Sequence, residues 1–352
     1  MNDISKALVT SVRAAYEATS PLNIVGGGSK VSLGREASGE PLMVADHKGI
    51  VSYNPTELVL TARCGTTIEE INQALAENGQ VCQFESPAFD GHATLGGTLA
   101  CNLSGPARPW QGSIRDAVLG VRLINGKGEH LKFGGQVMKN VAGYDVSRLQ
   151  AGAFGTLGVI TEISMKVMPR HTAIATLVMA VAAGEAICKM NELSGQSLPI
   201  SASAWLDGRL YLRLEGASRA VASAVDKLDG EVMADASAFW QGVGEQQLDF
   251  FQGDAPLWRF SINSSAPLPP LGGDWLIDWG GAQRWIRGTY DRSEMERYAE
   301  EGRGHLSLYR HGDRTGEVFH TVPDALQRIQ KGLKASFDPK GVLNPGRFYG
   351  WL

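Results

Sequence analysis

Glycine occurs in clusters along this chain, and these clusters constrain its fold more than any other feature of the sequence. The chain has 43 glycines among 352 residues, where an average composition has about 7%; a G-X-Y period, which would indicate collagen, is absent. Three glycines at 26–28 directly follow the apolar strand candidate 22–25 and precede Ser29-Lys30. Without Cβ atoms, such a loop leaves backbone N–H groups able to converge on an anion. The cluster therefore predicts a phosphate-binding loop, with a tight turn between two strands as the alternative.

Three further glycine-rich segments follow. Thr94-Leu95-Gly96-Gly97 opens a predicted short helix at 94–103, whose first N–H groups could contact a second phosphate, unless the glycines only allow close helix packing. Glycine recurs at every third position at Gly152, Gly155 and Gly158, and this spacing lets a flat chemical group approach a strand. The fourth segment, 337–347, ends in Asn-Pro-Gly-Arg. Neither a Walker A loop nor G-x-G-x-x-G matches these segments.

The remaining pattern predicts an α+β fold. Apolar residues at spacing four predict an amphipathic helix near 4–16. Further predicted elements are strands at 22–25, 42–45, 58–62, 114–124, 129–133 and 159–167 and helices at 67–78 and 324–336. After a boundary at Pro169-Arg170, the order of elements from 173 to about 232 is β-α-β-β-α-β, which is typical of a ferredoxin-like module. No internal repeat is apparent, and one face of the last helix carries Leu326, Ile329 and Leu333.

Charge and cysteine content exclude several classes of protein. The net charge of −4 argues against nucleic acid as the main partner. The longest uncharged apolar stretch, 172–184, is shorter than the roughly 20 residues that span a bilayer, and the N-terminus lacks the apolar run of a secretory signal. The cysteines include no C-x-x-C pair, so iron–sulfur and zinc-ribbon spacings are absent. They are predicted to be reduced thiols of a cytoplasmic protein: Cys64, Cys82, Cys101 and Cys188.

In this order and spacing, the four glycine-rich segments resemble the FAD-linked oxidase family, whose flavin domain is shared by vanillyl-alcohol oxidases and p-cresol methylhydroxylases. The resemblance covers roughly residues 5–170 and the C-terminal Asn-Pro-Gly-Arg. Within the family, the sequence is most similar to the FAD-binding E subunits of bacterial glycolate oxidases. The Gly-Gly-Gly-Ser-Lys loop, the segment 110–116 and the segment 139–145 carry that similarity.

The resemblance implies both a fold and a cofactor site. It implies an α+β chain with a two-lobed PCMH-type FAD-binding domain at 1–170, a smaller ferredoxin-like cap at 171–325, and a C-terminal segment at 326–352 that returns to the FAD. The implied FAD contacts are Val25, Gly26, Gly27, Gly28, Ser29, Lys30, Pro87, Thr94, Leu95, Gly96, Gly97, Ala100, Ser104, Ile160, Asn344 and Arg347. Covalent members carry a histidine where Ser29 stands, so non-covalent FAD is expected. The segment containing Ser104, Asn-Leu-Ser-Gly, departs from the family's Asn-Ala-Gly-Gly.

The resemblance also implies an oxidoreductase that acts on a small 2-hydroxy acid. The expected role is that of FAD-binding subunit in a multi-subunit glycolate oxidase or dehydrogenase, which oxidises glycolate to glyoxylate. Its expected partners are a catalytic flavoprotein subunit and an iron–sulfur subunit, through which alone it would meet the inner membrane. The alternatives are a self-sufficient FAD-dependent 2-hydroxy acid dehydrogenase and a non-catalytic FAD-carrying scaffold. A phosphate-binding kinase or synthetase, the remaining class, would need a Walker lysine and a pair of Mg²⁺ carboxylates that are not recognisable here.

No catalytic residue is assigned from the sequence, and no metal is expected. The spacings of His305, His311 and His320 match no compact metal motif. Arg310 or Arg314 could hold a substrate carboxylate by a forked hydrogen bond, or both could lie in a solvated loop.

Two further features have open interpretations. His92 could approach the cofactor or bond only its own loop. Six of the eight tryptophans lie between Trp205 and Trp285, where they could fill the core of the smaller domain or form a partner surface.

Overall fold

The computed structural model describes residues 2–136 and 144–352, and the chain divides into two compact units. Unit 1 comprises Met1–Leu103, Ser113–Pro169 and Arg314–Leu352. Unit 2 comprises Ser104–Gly112 and Arg170–Asp313.

Two segments lie outside the domains in which the sequence analysis placed them. Residues 314–325 belong to unit 1, where the Arg314 guanidinium donates to the carbonyl oxygen of Gly34 at 2.6 Å. Residues 104–112 belong to unit 2, where the indole N–H of Trp279 donates to the carbonyl oxygen of Gly105 at 3.0 Å. In both cases the bonding partner is distant in sequence, so a linear pattern does not reveal the assignment.

The helices and strands have the following bounds. The helices are α1 Ser5–Ala18, α2 Ile68–Ala76, α3 Leu95–Cys101, α4 Arg108–Gln111, α5 Ile114–Ala117, α6 Val146–Leu149, α7 Ala183–Ser194, α8 Ser218–Lys227, α9 Ser237–Gly244, α10 Arg292–Glu301 and α11 Asp324–Phe337. The strands are β1 Leu22–Val25, β2 Glu40–Met43, β3 Ile50–Asn54, β4 Val59–Arg63, β5 Gln80–Val81, β6 Val118–Ile124, β7 His130–Gly134, β8 Val159–Lys166, β9 Met168–Pro169, β10 Ala173–Ala180, β11 Ile200–Leu206, β12 Arg209–Gly216, β13 Glu231–Val232, β14 Leu257–Ser261, β15 Trp275–Asp278, β16 Gln283–Arg287 and β17 His305–Arg310.

Unit 1 is built around a five-stranded antiparallel sheet and a short parallel pair. The sheet has the order β3-β4-β8-β6-β7, and β1 pairs with β2. Helix α2 begins where predicted because Thr67 and Glu70 form a capping box, in which each side chain accepts from the other residue's N–H. One hydrophobic core joins these elements and includes Leu42, Ile71 and Leu123. This core holds the loop after β1 and the start of α3 in place.

Unit 2 contains an eight-stranded antiparallel sheet in the order β13-β10-β12-β11-β15-β16-β14-β17. The first four strands, with α7 and α8, form the predicted ferredoxin-like module. The second four repeat its strand order, and β11 pairs with β15 to join the halves. A loop at 262–274 takes the place of the first helix in the second half. Because that loop carries three prolines and no helical period, the repeat has no signal in the sequence.

Two local predictions require correction or refinement. The segment predicted as a strand from 114 begins instead with the helical turn α5, because Asp116 accepts from the Ser113 N–H at 2.9 Å and from its hydroxyl at 2.7 Å. Helix α11 forms as predicted, but Leu326 and Ile329 on its apolar face are 48% and 59% exposed.

No described helix is long and apolar enough to cross a membrane. The four cysteines, all within the described residues, are not joined in disulfides.

Candidate functional site

A cavity of about 410 Å³ lies in unit 1, between the loop after β1, the first turns of α3, the segment before β8 and the C-terminal segment. The predicted site residues on its wall are Val25, Gly26, Gly27, Gly28, Ser29, Lys30, Thr94, Gly96, Gly97, Ala100, Ile160, Asn344 and Arg347. The structure thus brings all four glycine-rich segments to one cavity.

Three predicted contacts do not line this cavity. Leu95 is fully buried and belongs to the hydrophobic core of unit 1. Pro87 is buried as well. Ser104 belongs to unit 2. Their contact with the cofactor stays a prediction without support from the cavity.

Two of the three glycines in the loop at 26–30, Gly26 and Gly27, are packed so closely that they have no room for a side chain. A Cβ at Gly27 would lie 1.8 Å from the carbonyl oxygen of His92, and one at Gly26 would lie 2.8 Å from Oγ1 of Thr94. Gly28 has a φ of +75°, a conformation that favours glycine. The three glycines therefore present main chain to the cavity. The His92 side chain is not on the cavity wall.

The start of α3 is held against the start of α2 and the end of β4. Thr94 caps α3 by accepting from the Gly97 N–H at 3.3 Å. The Gly96 N–H donates to the carbonyl oxygen of Cys64 at 2.8 Å, and a Cβ at Gly96 would lie 2.6 Å from the Cβ of Cys64. Gly96 and Gly97 therefore fit both alternatives drawn from the sequence. They permit close packing on β4, and they leave backbone on the cavity wall where a phosphate could bind.

Two cationic side chains stand at the cavity. Arg347 donates to the carbonyl oxygens of Val31 at 2.9 Å and Lys30 at 3.3 Å, and to that of Arg35. Carbonyl oxygens brace the guanidinium without neutralising its charge, and burial lowers its pKa. Lys30 is 8% exposed, with Nζ 3.2 Å from Oγ of Ser29. Positive charge beside a wall of exposed backbone suits a phosphate group.

Asn344 connects the C-terminal segment to both sides of the cavity. Its Oδ1 accepts from the Ile24 N–H at 2.7 Å, its Nδ2 donates to the carbonyl oxygen of Phe154 at 2.6 Å, and its own N–H donates to Leu22 at 2.9 Å. The asparagine therefore fixes the end of β1, from which the glycine loop departs.

Several wall residues were not predicted as contacts: Asn23, Ile24, Val31, Glu36, Ala37, Val44, Cys64, Cys101, Phe154, Gly155 and Gly158. Phe154 packs against Phe319 and Phe348, with ring centroids 5.2 and 5.6 Å apart. Burial raises the pKa of the Cys101 thiol to about 11, although Lys30 and Arg347 favour the thiolate. Among these wall residues, only Gly155 and Gly158 could be singled out from the sequence, through the glycine spacing at 152–158.

The remaining candidates have structural roles or lie outside the site. The Arg314 guanidinium is held by the Gly34 carbonyl oxygen. Within the described residues, no group of three or more histidine, cysteine, aspartate or glutamate side chains could hold a metal. Five of the six tryptophans noted in unit 2 are buried, as a core interpretation requires: Trp240, Trp258, Trp275, Trp279 and Trp285. In the segment 139–145, residues 139–143 lie outside the described part.

Comparisons with known proteins show which family the chain resembles. A family model described as an FAD binding domain matches residues 5–134. The chain is 47% identical over 350 residues to glycolate oxidase subunit GlcE of Escherichia coli (strain K12), a match that covers 99% of both chains. It is 31% identical over 116 residues to a D-2-hydroxyglutarate dehydrogenase of Xanthomonas citri pv. viticola, covering 33% of this chain and 24% of that one.

The fold also has relatives among solved structures. An alkyldihydroxyacetonephosphate synthase superposes with a TM-score of 0.68 at 15% identity, covering 98% of this chain and 76% of that one. This likeness shows the fold alone. The end-to-end identity to a glycolate oxidase subunit and the matched FAD binding domain lead to one conclusion: the chain belongs to the FAD-linked oxidase family, is a flavoprotein related to glycolate oxidase subunits, and has FAD as its cofactor.

Proposed function

We propose that this chain is the FAD-binding subunit of a multi-subunit glycolate oxidase or dehydrogenase, in which glycolate is oxidised to glyoxylate and the electrons pass to partner subunits or an acceptor. The observation that carries the proposal is the 47% identity to a glycolate oxidase subunit over 99% of both chains. Shared length matters here because it includes unit 2 and the C-terminal segment, not only the flavin domain.

The cavity in unit 1 fits the cofactor. Gly26 and Gly27 leave no room for side chains, and Arg347 and Lys30 supply the positive charge that a pyrophosphate requires. In this proposal the loop at 26–30 wraps the pyrophosphate and Ile160 and Thr94 line the remainder of the molecule. When bound, FAD supplies the two-electron chemistry of alcohol oxidation. The chain's own residues bind it, orient it and shield it from water.

FAD is held non-covalently in this proposal. Ser29 stands where covalent members of the family carry a histidine. The two cysteines on the cavity wall are poor nucleophiles, since burial raises the pKa of Cys64 to about 12 and that of Cys101 to about 11.

Partner subunits complete the proposed enzyme. The sequence offers no C-x-x-C ligands for an iron–sulfur cluster, so we assign electron transfer away from the flavin to an iron–sulfur subunit. A second flavoprotein subunit would carry the main catalytic site. The chain would act in the cytoplasm and reach the inner membrane through these partners.

Two other functions are compatible with the same cofactor site. The local similarity to a D-2-hydroxyglutarate dehydrogenase favours a self-sufficient 2-hydroxy acid dehydrogenase as the second candidate. A non-catalytic scaffold that only carries FAD is the third. These candidates differ in whether the isolated chain reacts with substrate.

Anaerobic stopped-flow mixing separates the candidates. We expect the flavin of the isolated chain to stay oxidised with glycolate or D-lactate, and to be bleached once the catalytic and iron–sulfur subunits are added. Bleaching of the isolated chain at a rate on the order of 1–1,000 per second would establish the self-sufficient enzyme instead. An oxidised flavin in the complete, turning-over complex would leave only the scaffold.

Arg347→Gln is expected to weaken FAD binding about tenfold or more, because it removes a partly buried positive charge and its charge-assisted hydrogen bonds to the loop at 30–35. The dissociation constant is measured by titrating apoprotein with FAD and following flavin fluorescence. Arg13→Gln, on the exposed side of α1, is the matched control and should leave affinity unchanged. Equal affinities for both variants would contradict the assignment of Arg347.

A further inference from the structure

A further cavity, of about 360 Å³, lies within unit 2 at the start of α7. Ligand cavities have volumes from about 300 to 1,000 Å³, so this one is large enough for a small molecule. It is open to solvent, because both of the carboxylate side chains on its wall are exposed. The wall combines two carboxylates, two indole rings and two leucines: Asp207, Asp274, Trp205, Trp275, Leu268 and Leu271.

Both segments that carry the carboxylates are held by the fold of unit 2. Asp207 has a φ of +50° and lies in the two-residue turn that joins β11 to β12. The other carboxylate, that of Asp274, ends the loop at 262–274. This loop is held by the fully buried Arg284, whose guanidinium donates to the carbonyl oxygen of Pro267 at 2.8 Å. The wall is therefore formed before any ligand arrives, which lowers the entropy cost of binding.

The two carboxylates of the cavity favour a ligand that carries a positive charge. None of the described residues on this wall is basic, so no wall residue neutralises Asp207 and Asp274. A protonated amine forms charge-assisted hydrogen bonds with carboxylates. Indole rings such as those of Trp205 and Trp275 attract cations as well. The wall therefore suits an ammonium group.

The start of α7 gives the same cavity a group of opposite character. Ala183, the first residue of this helix, lies on the wall. No side chain caps the helix, so the N–H groups of its first turn lack helical partners and form the positive end of the helix dipole. Such a helix end suits a carboxylate.

Trp275 is an independent sign of a missing hydrogen-bond acceptor. It is 5% exposed, and its indole N–H has no partner among the described residues. The indole N–H of Trp205, by contrast, donates to the carbonyl oxygen of Val181 at 2.8 Å. A buried donor without a partner costs free energy until an acceptor reaches it. The wall residues therefore require both a positive group and a hydrogen-bond acceptor in one ligand.

We propose that this cavity binds a free α-amino acid with an apolar side chain. Asp207 and Asp274 hold the ammonium group of the ligand. The N–H groups at the start of α7 and the indole N–H of Trp275 hold its carboxylate. The apolar side chain packs against the two leucines of the wall. The site belongs wholly to unit 2, and it rests neither on the proposed function nor on the FAD cavity.

The test is isothermal titration calorimetry of the full, FAD-bound chain with L-leucine and L-phenylalanine as probes. Two analogues each remove one charged group of leucine: 3-methylbutylamine lacks the carboxylate, and 4-methylpentanoate lacks the ammonium group. We expect at least one of the amino acids to bind, and both analogues to bind about tenfold or more weakly than leucine. No binding of either amino acid up to about 10 mM, above the usual range of KM values, overturns the site. An amine that binds as tightly as leucine also overturns it, in favour of a basic side chain of a partner chain.

Two substitutions, each with a matched control, test the two ends of the site. Asp274→Asn should weaken binding of the amino acid about tenfold or more, whereas Asp229→Asn, at an exposed position of unit 2 outside the wall, should not. Ala183→Pro removes one N–H at the first position of α7, where proline suits a helix. The preceding Ala182, with a φ of −70° and a ψ of 156°, is compatible with proline.

We expect Ala183→Pro to keep the wild-type circular dichroism while it binds the amino acid more weakly. The same substitution at the first position of α8, Ser218→Pro, is its control and should leave the affinity unchanged. Wild-type affinity in both Asp274→Asn and Ala183→Pro overturns the site.

Discussion

Gly27→Ala is expected to yield a folded protein that retains less than about a tenth of the wild-type FAD. The added Cβ would lie 1.8 Å from the carbonyl oxygen of His92 and 3.0 Å from its carbonyl carbon. Since both contacts are with main chain, no side-chain rotation relieves them, and the loop must move away from the segment at 92–94. That movement opens the cradle in which the pyrophosphate is proposed to lie. Flavin absorbance per chain, with circular dichroism as the check on folding, measures the effect.

Substitutions at two other glycines are the comparisons for the FAD content of Gly27→Ala. Gly332 on α11 has open space around its position, so Gly332→Ala should keep all its FAD and gain about 1 kcal/mol of stability from helix propensity. Gly97→Ala should lie between the extremes, because its Cβ meets only Oγ1 of Thr94 at 3.2 Å. Full flavin content in Gly27→Ala would refute the proposed path of the loop around the cofactor.

Lys334→Met is expected to lower the free energy of unfolding by about 3–5 kcal/mol. Lys334 is 7% exposed, and its Nζ donates to Oδ2 of Asp338 at 2.7 Å and to the carbonyl oxygens of Thr156 at 2.8 Å and Leu343 at 2.7 Å. Methionine fills the same space but leaves the Asp338 carboxylate, 1% exposed, without its counter-ion. Because Leu343 precedes Asn344, the loss should also loosen the C-terminal wall of the cavity. Urea denaturation of the FAD-bound and apo forms measures both effects.

Lys331→Met is the matched control on the same helix. Lys331 is exposed and lies 5.3 Å from the ring centroid of Trp351, a contact for which a loss below about 1 kcal/mol is expected. Equal destabilisation in the two variants would show that the buried ion pair does not stabilise the C-terminal segment.

The sequence pattern predicted the parts of the fold that interactions between neighbouring residues determine. Thr67 and Glu70 cap α2 within one turn, and the turn at Asp207-Gly208 joins β11 to β12, so both features could be predicted from neighbouring residues. The second half of the unit 2 sheet could not, because its strands are paired through the long-range contact between β11 and β15. On α11 the sequence pattern instead predicts burial that the structure does not show. Its pattern suggests burial, but Leu326 and Ile329 are exposed, whereas Lys334 is buried.

The residues that line the cavity of unit 1 were predictable where a glycine marks close packing or unusual backbone. The loop at 26–28 and the pair at 96–97 are short in sequence and need unusual backbone or close approach, which leaves a recognisable composition. Phe154, Cys64 and Cys101 reach the same cavity through tertiary packing, and their residue types carry no signal of a phosphate or a flavin. Leu95 does not line the cavity because the first turn of α3 points it into the core, and its contact with the cofactor stays a prediction.

The flavin content of the purified chain tests the central claim most directly. The protein is purified alone, its visible spectrum is recorded, and it is precipitated with acid. We predict a yellow protein with equimolar FAD, all of which passes to the supernatant because no covalent bond retains it. A protein that stays colourless after incubation with FAD would contradict the cavity's assignment, and colour that stays in the acid pellet would contradict its non-covalent attachment.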